Sequence, residues 1–593
     1  MLVFDCETNG LLEDVSKVHC LVIRDTLNDK VFTYKDNIQE GCDLLMNTDQ
    51  QIGGHNVIKY DVPVLSKLFN FKVLESKVVD TLVLSRLTYP DLGDIDAKLL
   101  AKDTLESKLY KSHSLKAWGQ RLGHHKGEYD MSVAENRENW SQEMQDYCEQ
   151  DTFVTSELYK FLMKKEPSEE SVKLEHSLQW IVAQMERDGF PFNEKAAFDL
   201  HNLLVSKKLE LEVELAKAFP PWIVKEDKGI SKVNNKKTGR VKGERYIKET
   251  LVEFNPNSRQ HIADRLMTKY KWQPKEFTPN GQAKVDDSVI SELIYPEAKI
   301  LAEYLVIQKR LGQLADGDQA WLKRVGSDGK IHGNYTINGA VTSRATHSNP
   351  NIAQVPSSSA PYGSECRSLF TCSSESRAMV GADLSGLELR CLAHFMAQFD
   401  GGEYGRKLLD GDIHTENQKA AGLETRAQAK TFIYGFLYGA GAAKIGEIVG
   451  GTPKEGQALK NRFLSKVPAL KRLISGVTNY AEKYGWVPGL DKRKLPIRSP
   501  HAALNTLLQS AGALLSKQAI IIFKQLLIDK GYQDRTTLLA WIHDEIQIET
   551  DREIADEIGK LAVQSFEMAG QHFNFNCPIT GEYKVGTNWA ETH

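Results

Sequence analysis

One short stretch, Gly381 to Met396 (GADLSGLELRCLAHFM), constrains the fold of this chain more than any other. The residues AMV before it predict a strand that leads to Asp383, and the following SG pair predicts a turn. From Leu387 onward, apolar residues recur every three to four positions, which predicts a helix. A carboxylate at the end of a buried strand can hold Mg²⁺, because the scaffold is rigid and the ion binds oxygen ligands. The alternative is that Asp383 only caps the helix that follows.

Length and composition limit the class of protein. A chain of 593 residues is too long for one hydrophobic core, so we expect a few domains. No apolar run approaches a membrane span and no basic segment precedes LVFDCETNG, so we expect neither a membrane span nor a signal peptide. The eight cysteines include no CxxC pair, which indicates a reducing compartment such as the cytoplasm and argues against structural zinc. With a net charge of −4, any nucleic-acid binding must rest on local patches.

The N-terminal region, residues 1–165, carries three groups of polar residues in a fixed order. A short strand places Asp5 and Glu7 side by side, because residues two apart in a strand share a face. Two adjacent carboxylates are costly unless a cation neutralises them. Asp61 follows in GGHNVIKYDVPVL, and a helix over DYCEQDTFVT would place Tyr147 and Asp151 on one face. Each signal alone also fits solvated surface, so the order of the set carries the hypothesis.

Residues 1–165 resemble the proofreading 3′→5′ exonuclease domain of the DnaQ-like superfamily, an RNase H-like α/β fold, in its tyrosine-containing subtype. The resemblance implies that Asp5, Glu7, Asp61 and Asp151 hold two divalent metal ions. It also implies that Tyr147 orients the attacking water. Two metals about 4 Å apart can activate the water and stabilise the leaving 3′ oxygen. The alternative is a degenerate domain that only binds DNA.

The middle region, residues 166–330, reads as a helical arm with a basic tip. Residues 174–185 predict an amphipathic helix that ends at Gly189, and residues 297–314 predict another. The segment 209–215 alternates apolar residues with Glu, but its strong helix formers favour a helix. Residues 225–248 hold nine Lys or Arg against three acids and predict a mobile basic loop. This loop either contacts duplex phosphates or is a solvated linker, and both readings stay open.

The most informative helix in the C-terminal region is TRAQAKTFIYGFLYGAG. Arg426, Lys430, Tyr434 and Tyr438 recur every four residues, so they form one stripe along the helix, with Thr425 as the N-cap. The stripe is cationic near the helix N-terminus and aromatic further along. That pattern fits a nucleoside triphosphate laid along the helix, although an aromatic stripe is more often core.

Other C-terminal segments contribute polar residues around this helix. An irregular segment carries Arg344, and GDIHTENQ carries His414. A long helix over RSPHAALNTLLQSAGALLSK would place Arg498, Asn505 and Gln509 on its polar face.

The segment LLAWIHDEIQIE predicts a hairpin with His543, Asp544 and Glu545 at its tip. Two strands of one sheet can bring Asp544 to Asp383 across 161 positions of sequence.

The ordered set DxSGLELR, RxxxKxxxxxxxYG and HDEIQ resembles family A DNA polymerases. The similarity to the replicative polymerases of short-tailed T-odd phages covers nearly the whole chain, which implies genome replication in the cytoplasm of an infected host. It implies an α+β multidomain protein, a right-hand polymerase behind the exonuclease domain. The thumb with its linker helix would span 166–330, including the basic loop 220–248. The palm, with an antiparallel sheet, would span 331–400 and 496–593, and the helical fingers 401–495.

The resemblance also implies roles for single residues at the polymerase site. Asp383, Asp544 and the backbone carbonyl of Leu384 would bind two Mg²⁺ or Mn²⁺ ions, with Glu545 as a further catalytic residue. One ion would lower the pKa of the primer 3′ hydroxyl, and the other would neutralise the triphosphate and the leaving pyrophosphate. Glu388 would block a 2′ hydroxyl and so select deoxynucleotides.

The substrate contacts follow from the same resemblance. Arg426, Lys430 and His414 would hold the phosphates, Lys430 would also protonate the leaving group, and Tyr434 would pack on the incoming nucleotide. The implied DNA contacts are Arg344, Tyr438, Arg498, Asn505, Gln509 and His543. Of these, Arg344, Asn505 and Gln509 would read the minor-groove edge of the nascent pair, where acceptors are common to all correct pairs.

The expected partners are primer–template DNA and deoxynucleoside triphosphates, with a phage helicase–primase as a further candidate. The piece at about 220–248 is much shorter than the insertion by which one phage relative recruits thioredoxin. That difference argues against a thioredoxin-type processivity factor and leaves a different clamp, or none, as alternatives. Two other functions compete. A single-subunit RNA polymerase shares the palm, but Glu388 and Glu545 argue against it. A replication scaffold with an inactive palm is the other.

Overall fold

The computed structural model describes residues 1–124, 138–237 and 239–593. These residues form two compact units. The first comprises Met1–Phe190, His332–Ala353 and Cys372–His593, and the second comprises Pro191–Ile331 and Gln354–Thr371. Both units contain helices and strands, which confirms the predicted mixture of α and β structure.

The N-terminal part of the first unit is built on a five-stranded sheet. In spatial order its strands are Val31–Tyr34, Val18–Asp25, Leu2–Thr8, Ile52–Gly54 and Val78–Asp80. The first three pair antiparallel, and the last two run parallel to the central strand. The central strand is the one predicted to carry Asp5 and Glu7, and it begins with the buried side chains of Leu2, Val3 and Phe4.

Helices cover this sheet and extend beyond it. They are Ile38–Asn47, Asp61–Leu68, Thr81–Thr88, Gly93–Leu100, Leu115–Leu122, Gln142–Met163 and Glu169–Asp188, with short 3₁₀ turns at Glu75–Lys77 and Ser107–Leu109. The helix Gln142–Met163 packs on the strands Leu2–Thr8 and Val18–Asp25. This packing brings Tyr147 and Asp151 towards the central strand, and it confirms that DYCEQDTFVT is helical. The helix ending at Asp188, followed by Gly189 at φ +66°, is also confirmed.

The C-terminal part of the first unit is built on a four-stranded antiparallel sheet. Its spatial order is Thr536–Ile542, Glu545–Asp551, Arg377–Leu384 and Gly581–Gly586. The predicted hairpin is confirmed, with a two-residue turn of His543 and Asp544. The helices here are Leu387–Asp400, Glu403–Asp410, Ile413–Ala421, Arg426–Leu437, Ala442–Ile448, Pro453–Lys466, Pro468–Tyr484, Ala503–Lys530 and Ala555–His572. Small strand pairs join Asn334–Thr336 to Thr346–Ser348 and Trp486–Pro488 to Lys494–Pro496.

The long helix Ala503–Lys530 is the core element of this part. Together with the turn before it, Pro500–Lys530 is apolar enough to cross a membrane by length and composition (mean hydropathy 1.4), but 61% of its most apolar window is buried in the protein. A helix that is apolar on every side belongs inside a large core. The expectation that no stretch approaches a membrane span was therefore wrong, since composition alone does not separate a core helix from a spanning one.

The second unit contains the helices Glu194–Ala218, Arg259–Tyr270, Asp287–Ser291, Pro296–Leu311, Trp321–Arg324 and Gly363–Ser368. Residues 209–215 are helical. The strong helix formers in this segment predicted a helix, although the alternation of apolar residues with Glu taken alone would indicate a strand. The predicted loop at 225–248 is wrong in part, because residues 225–230 and 245–248 lie in the strands of an antiparallel hairpin, Trp222–Ile230 with Arg245–Val252. Apolar residues interleaved with the charges support the strands. Some of the basic charges are paired within the hairpin, as Lys225 is with Glu249 at 2.7 Å.

A buried cluster of charges joins three elements of the first unit. Lys517, on the long helix, is fully buried, and its Nζ donates to Glu175 Oε1 at 2.7 Å and to Asn338 Oδ1 at 2.8 Å. Arg493 pairs with the same Glu175 at 2.6 Å and with Asp491 at 2.6 Å. Two cations and two carboxylates balance one another, which is the condition under which charges are tolerated in a core.

We predict that Glu175→Ala lowers the free energy of unfolding by about 3–5 kcal/mol, because it leaves Lys517 and Arg493 short of a buried counter-charge. Thermal unfolding measures this loss. Glu170→Ala is the matched control, since Glu170 lies on the same helix at the surface, 3.7 Å from Lys492, and should change little. Equal unfolding temperatures for the two variants would contradict the prediction.

Candidate active sites

The strand that ends at Asp383 leads directly into the helix Leu387–Asp400. Gly386 occupies the N-cap position with φ +60°, a conformation that glycine adopts without strain, and no side chain caps this helix. The interpretation of Asp383 as a helix cap is therefore wrong. Its side chain is exposed at the strand end.

Asp544 is held next to Asp383 by the backbone of the sheet. Asp383 lies opposite Glu545 in the antiparallel register, and the Leu384 amide donates to the Asp544 carbonyl oxygen at 3.2 Å. His543, the other turn residue, has φ +58°. A residue without glycine's freedom is strained there, and such strain is typical of functional turns.

The electrostatics of this pair favour a cation. Desolvation and then the charge of Asp544 raise the pKa of Asp383 to about 7. Desolvation and the charge of Glu388 raise the pKa of Asp544 to about 6. Ionised Asp544 thus makes the ionisation of Asp383 more costly, and Glu388 does the same for Asp544. A divalent cation that prefers oxygen ligands relieves that cost. The donor set therefore fits Mg²⁺.

Glu545 lies behind this pair and is buried. Its oxygens accept hydrogen bonds from Trp589 Nε1 at 2.6 Å, Gln547 Nε2 at 2.7 Å and His593 Nδ1 at 2.9 Å. Burial acts to raise its pKa, but the bond and charge of His593 hold the pKa below its usual value. Sequence reasoning missed Trp589 and His593, because nothing in their spacing from HDEIQ points to this contact.

The predicted stripe lies on the helix Arg426–Leu437, and Thr425 caps it in a capping box with Gln428. Arg426 and Lys430 are exposed, whereas Tyr434 is half-buried. Tyr438 lies just past the last helical residue rather than within the helix.

His414 belongs to the same group. Its ring centroid lies 6.2 Å from that of Tyr434. Arg426 Nε donates to Asp412 Oδ2 at 2.5 Å, a partner that sequence reasoning missed. Asp412 caps the helix that carries His414, so this ion pair ties the two helices together.

Glu388, Tyr438 and Arg344 form one cluster beside Asp544. The Tyr438 hydroxyl donates to Glu388 Oε1 at 2.8 Å, and Arg344 also bonds to Tyr438. Arg344 and His543 line a small cleft together with Asp544. The tertiary fold thus gathers residues from four separate segments around the Asp383–Asp544 pair.

The long helix carries only part of its predicted polar face. Asn505 and Gln509 lie one turn apart on it and share a hydrogen bond of 2.7 Å. Arg498 precedes the helix and the 3₁₀ turn Pro500–Ala502, so its predicted place on the helix is wrong. Its Nε instead donates to Asp91 Oδ2 at 2.7 Å, in the N-terminal region.

A second carboxylate site lies on the N-terminal sheet. Ligand atoms of Asp5, Glu7 and Cys148 lie within 4.8 Å of one another, and Cys148 Sγ donates to Asp5 Oδ2 at 3.3 Å. Asp61 accepts from the backbone N of Cys6 at 3.1 Å and from its Sγ at 3.2 Å. Sequence reasoning missed both thiols, which lie next in sequence to predicted site residues.

Burial sets the electrostatics of this second site. Desolvation raises the pKa of Asp61 to about 6. Asp151 is buried as well, at 4% exposure. All four predicted carboxylates and Tyr147 line one cavity of about 1040 Å³. The clustered, partly buried acids again form a set that suits divalent cations.

The sequence matches the model of DNA polymerase family A over residues 228–591. The chain belongs to this family of DNA-directed DNA polymerases. It is 40% identical to the DNA-directed DNA polymerase of Enterobacteria phage T3 and 39% identical to that of Escherichia phage T7, with each chain covered in full. Both alignments extend over 705 residues, which exceeds the 593 of this chain, so they contain positions that this chain lacks.

A more distant relative and a solved structure are consistent with this family and fold. DNA polymerase I of Aquifex aeolicus is 25% identical, and the match covers 100% of this chain and 96% of that one. The POL domain of Pol1 from M. smegmatis, solved with DNA primer-template and dNTP, superimposes with a TM-score of 0.75 at 17% identity. It covers 100% of this chain and 96% of the solved one, and at this identity it supports the fold alone.

We predict that His543→Val lowers stability by about 1–3 kcal/mol and slows primer extension, because a β-branched residue at positive φ distorts the turn that holds Asp544. His543→Gly is the matched control, since it also removes the imidazole but adopts the turn freely. Thermal unfolding and primer-extension assays measure the two effects. If both variants lose the same stability, turn strain does not position Asp544.

Proposed function

We propose that this family A polymerase extends a primer 3′ end with deoxynucleoside triphosphates and also removes 3′-terminal nucleotides at a separate proofreading site. The observation that carries the first activity is the register that brings Asp383 to Asp544, with the Leu384–Asp544 backbone bond. The second activity is supported by the gathering of four acids and Tyr147 around one cavity.

At the polymerase site, Asp383, Asp544 and the Leu384 carbonyl would hold two divalent ions. Bound ions would lower the pKa of the primer 3′ hydroxyl and neutralise the developing charge on the triphosphate. Glu545, which accepts a hydrogen bond from Trp589 Nε1, would be a further catalytic residue beside these ligands.

The incoming nucleotide would lie along the helix Arg426–Leu437. Arg426, Lys430 and His414 supply positive charge or hydrogen-bond donors for its phosphates, and Lys430 can donate a proton to the leaving pyrophosphate. Tyr434 supplies a half-buried ring against sugar and base. Glu388, which accepts a hydrogen bond from the Tyr438 hydroxyl, would exclude a 2′ hydroxyl.

The template and primer would contact Arg344, Tyr438 and His543, which lie beside Asp544 or its neighbour Glu388. They would also contact Asn505 and Gln509 on the long helix. Such contacts read shape and minor-groove acceptors rather than sequence. We also propose that residues 166–330 form the thumb, residues 331–400 and 496–593 the palm, and residues 401–495 the fingers. A helicase–primase and a processivity factor stay predictions.

At the second site, residues 1–165 would act as the 3′→5′ exonuclease. Asp5, Glu7, Asp61 and Asp151 would hold two divalent ions, which supply the activated water when bound. Tyr147 would orient this water. The strand order, with Asp5 and Glu7 on a central strand that has antiparallel and parallel neighbours, supports the RNase H-like assignment.

We predict that Asp544→Ala abolishes primer extension, by at least about a hundredfold, and leaves single-strand degradation intact, because it removes a ligand of one site only. A gel assay with Mg²⁺ and four deoxynucleotides measures both activities. Asp534→Ala, an exposed acid just before the same hairpin, is the control. Primer extension that persists in the Asp544→Ala variant would reject the palm assignment. The alternative of a replication scaffold with an inactive palm predicts that the unmodified protein does not extend a primer.

We predict the reverse for Asp5→Ala combined with Glu7→Ala, with degradation lost and extension retained. Glu13→Ala combined with Asp14→Ala is the matched control, since it removes two exposed acids from the same region. A single-stranded oligonucleotide with a 3′ label reports degradation directly. Degradation by the Asp5/Glu7 variant would refute the exonuclease assignment.

A further inference from the structure

The cavity at the second carboxylate site is not enclosed by residues 1–165 alone. Its lining includes Thr336, the segment 338–341, Thr346 and Arg498, which belong to the C-terminal half of the sequence. The volume of about 1040 Å³ lies at the top of the range of about 300–1,000 Å³ for ligand sites. There is thus room for more than a single small molecule.

The rim of this cavity carries two cations, Arg498 and Lys111, beside Asp91. Asp91 is flanked by two cations, since Arg498 Nε donates to it at 2.7 Å and Lys111 also acts on its charge. Asp94 also acts on Arg498, so the two cations stand beside two carboxylates, with which a bound phosphate would compete. The Arg498 side chain is 64% exposed, so a ligand can reach it without unfolding any element.

The remaining walls suit nucleotide bases. Tyr60, Tyr147, Leu82, Leu92 and Leu115 line the cavity with aromatic and apolar surface. Single-stranded DNA is held by this combination, in which cations follow the backbone phosphates and flat or apolar side chains pack on bases.

We propose that Arg498, with Lys111, binds a backbone phosphate of the single strand whose 3′ end enters this cavity, and that Asp91 occupies the phosphate's place in the free protein. Arg498 is then a substrate-binding residue of the nuclease contributed by the C-terminal half, not a duplex contact of the polymerase site. This inference rests on the proposed exonuclease function.

Arg498 is paired with Asp91 in the free protein, but it can exchange Asp91 for a phosphate when DNA binds. An incoming phosphate offers Arg498 the same charge-assisted bonds that Asp91 provides. Asp91 is also held by the Gly93 amide, whose N donates to Oδ1 at 3.0 Å, so it keeps one partner when Arg498 leaves. Asp91 therefore acts as a competitor that weakens binding.

The test measures binding of fluorescently labelled (dT)₄ without added divalent metal, together with degradation and primer extension. Arg498→Ala should weaken (dT)₄ binding roughly fivefold and lower the salt slope by about 0.7, as expected for one lost single-strand phosphate contact. Degradation should fall several-fold more than extension. Arg498→Lys, which keeps the charge, should restore part of the loss.

Lys492→Ala is the matched control, because Lys492 is an exposed cation nearby that pairs with Glu170 and does not line the cavity. Equal (dT)₄ affinity for the two variants overturns the inference, as does an equal or larger loss of extension.

A second variant tests the inference even if the Arg498→Ala protein fails to fold. Asp91→Asn should tighten (dT)₄ binding, since the competing charge is gone, and this gain should shrink when Arg498→Ala is also present. Unchanged or weaker binding by Asp91→Asn overturns the inference. If the Asp5/Glu7 variant still degrades DNA, the exonuclease assignment fails, and the (dT)₄ measurements still decide whether Arg498 holds the strand.

Discussion

The Asp383–Asp544 pair depends on one backbone contact, the hydrogen bond from the Leu384 amide to the Asp544 carbonyl oxygen. It closes the antiparallel register at the point where one strand turns into a helix and the other into a hairpin. Each carboxylate is costly beside the other, as the raised pKa of Asp383 records. The sheet therefore supplies the stability that holds two like charges together, and this arrangement suits divalent cations.

A second buried group of charges in the first unit is held by balance between opposite charges. The Lys517–Glu175–Arg493–Asp491 cluster neutralises itself and joins the long helix, the helix before Gly189 and a small hairpin. Asn338 accepts a hydrogen bond from Lys517 and lines the N-terminal cavity. The cluster thus ties Asn338, in the wall of this cavity, to the long helix Ala503–Lys530.

Much of the local structure could be predicted from sequence, because it is set by contacts between near neighbours. The strand before Asp383, the two-residue turn at Asp544, the cap at Thr425 and the helix over 209–215 all follow from period, turn chemistry and propensity. The failures have a common cause. The hairpin at 222–252, the true start of the long helix and the buried state of its apolar face depend on which distant segment packs against them.

The sequence by itself determined the family, the carboxylates and the order of the elements that carry them, since these lie in short motifs with local chemistry. Only the tertiary structure determined which residues that are distant in sequence contact one another. It locked Glu545 onto Trp589 and His593, set thiols beside Asp5 and Asp61, and paired Arg498 with Asp91 in the N-terminal region. The physical reason is that such contacts join residues far apart in the chain, so no local periodicity records them.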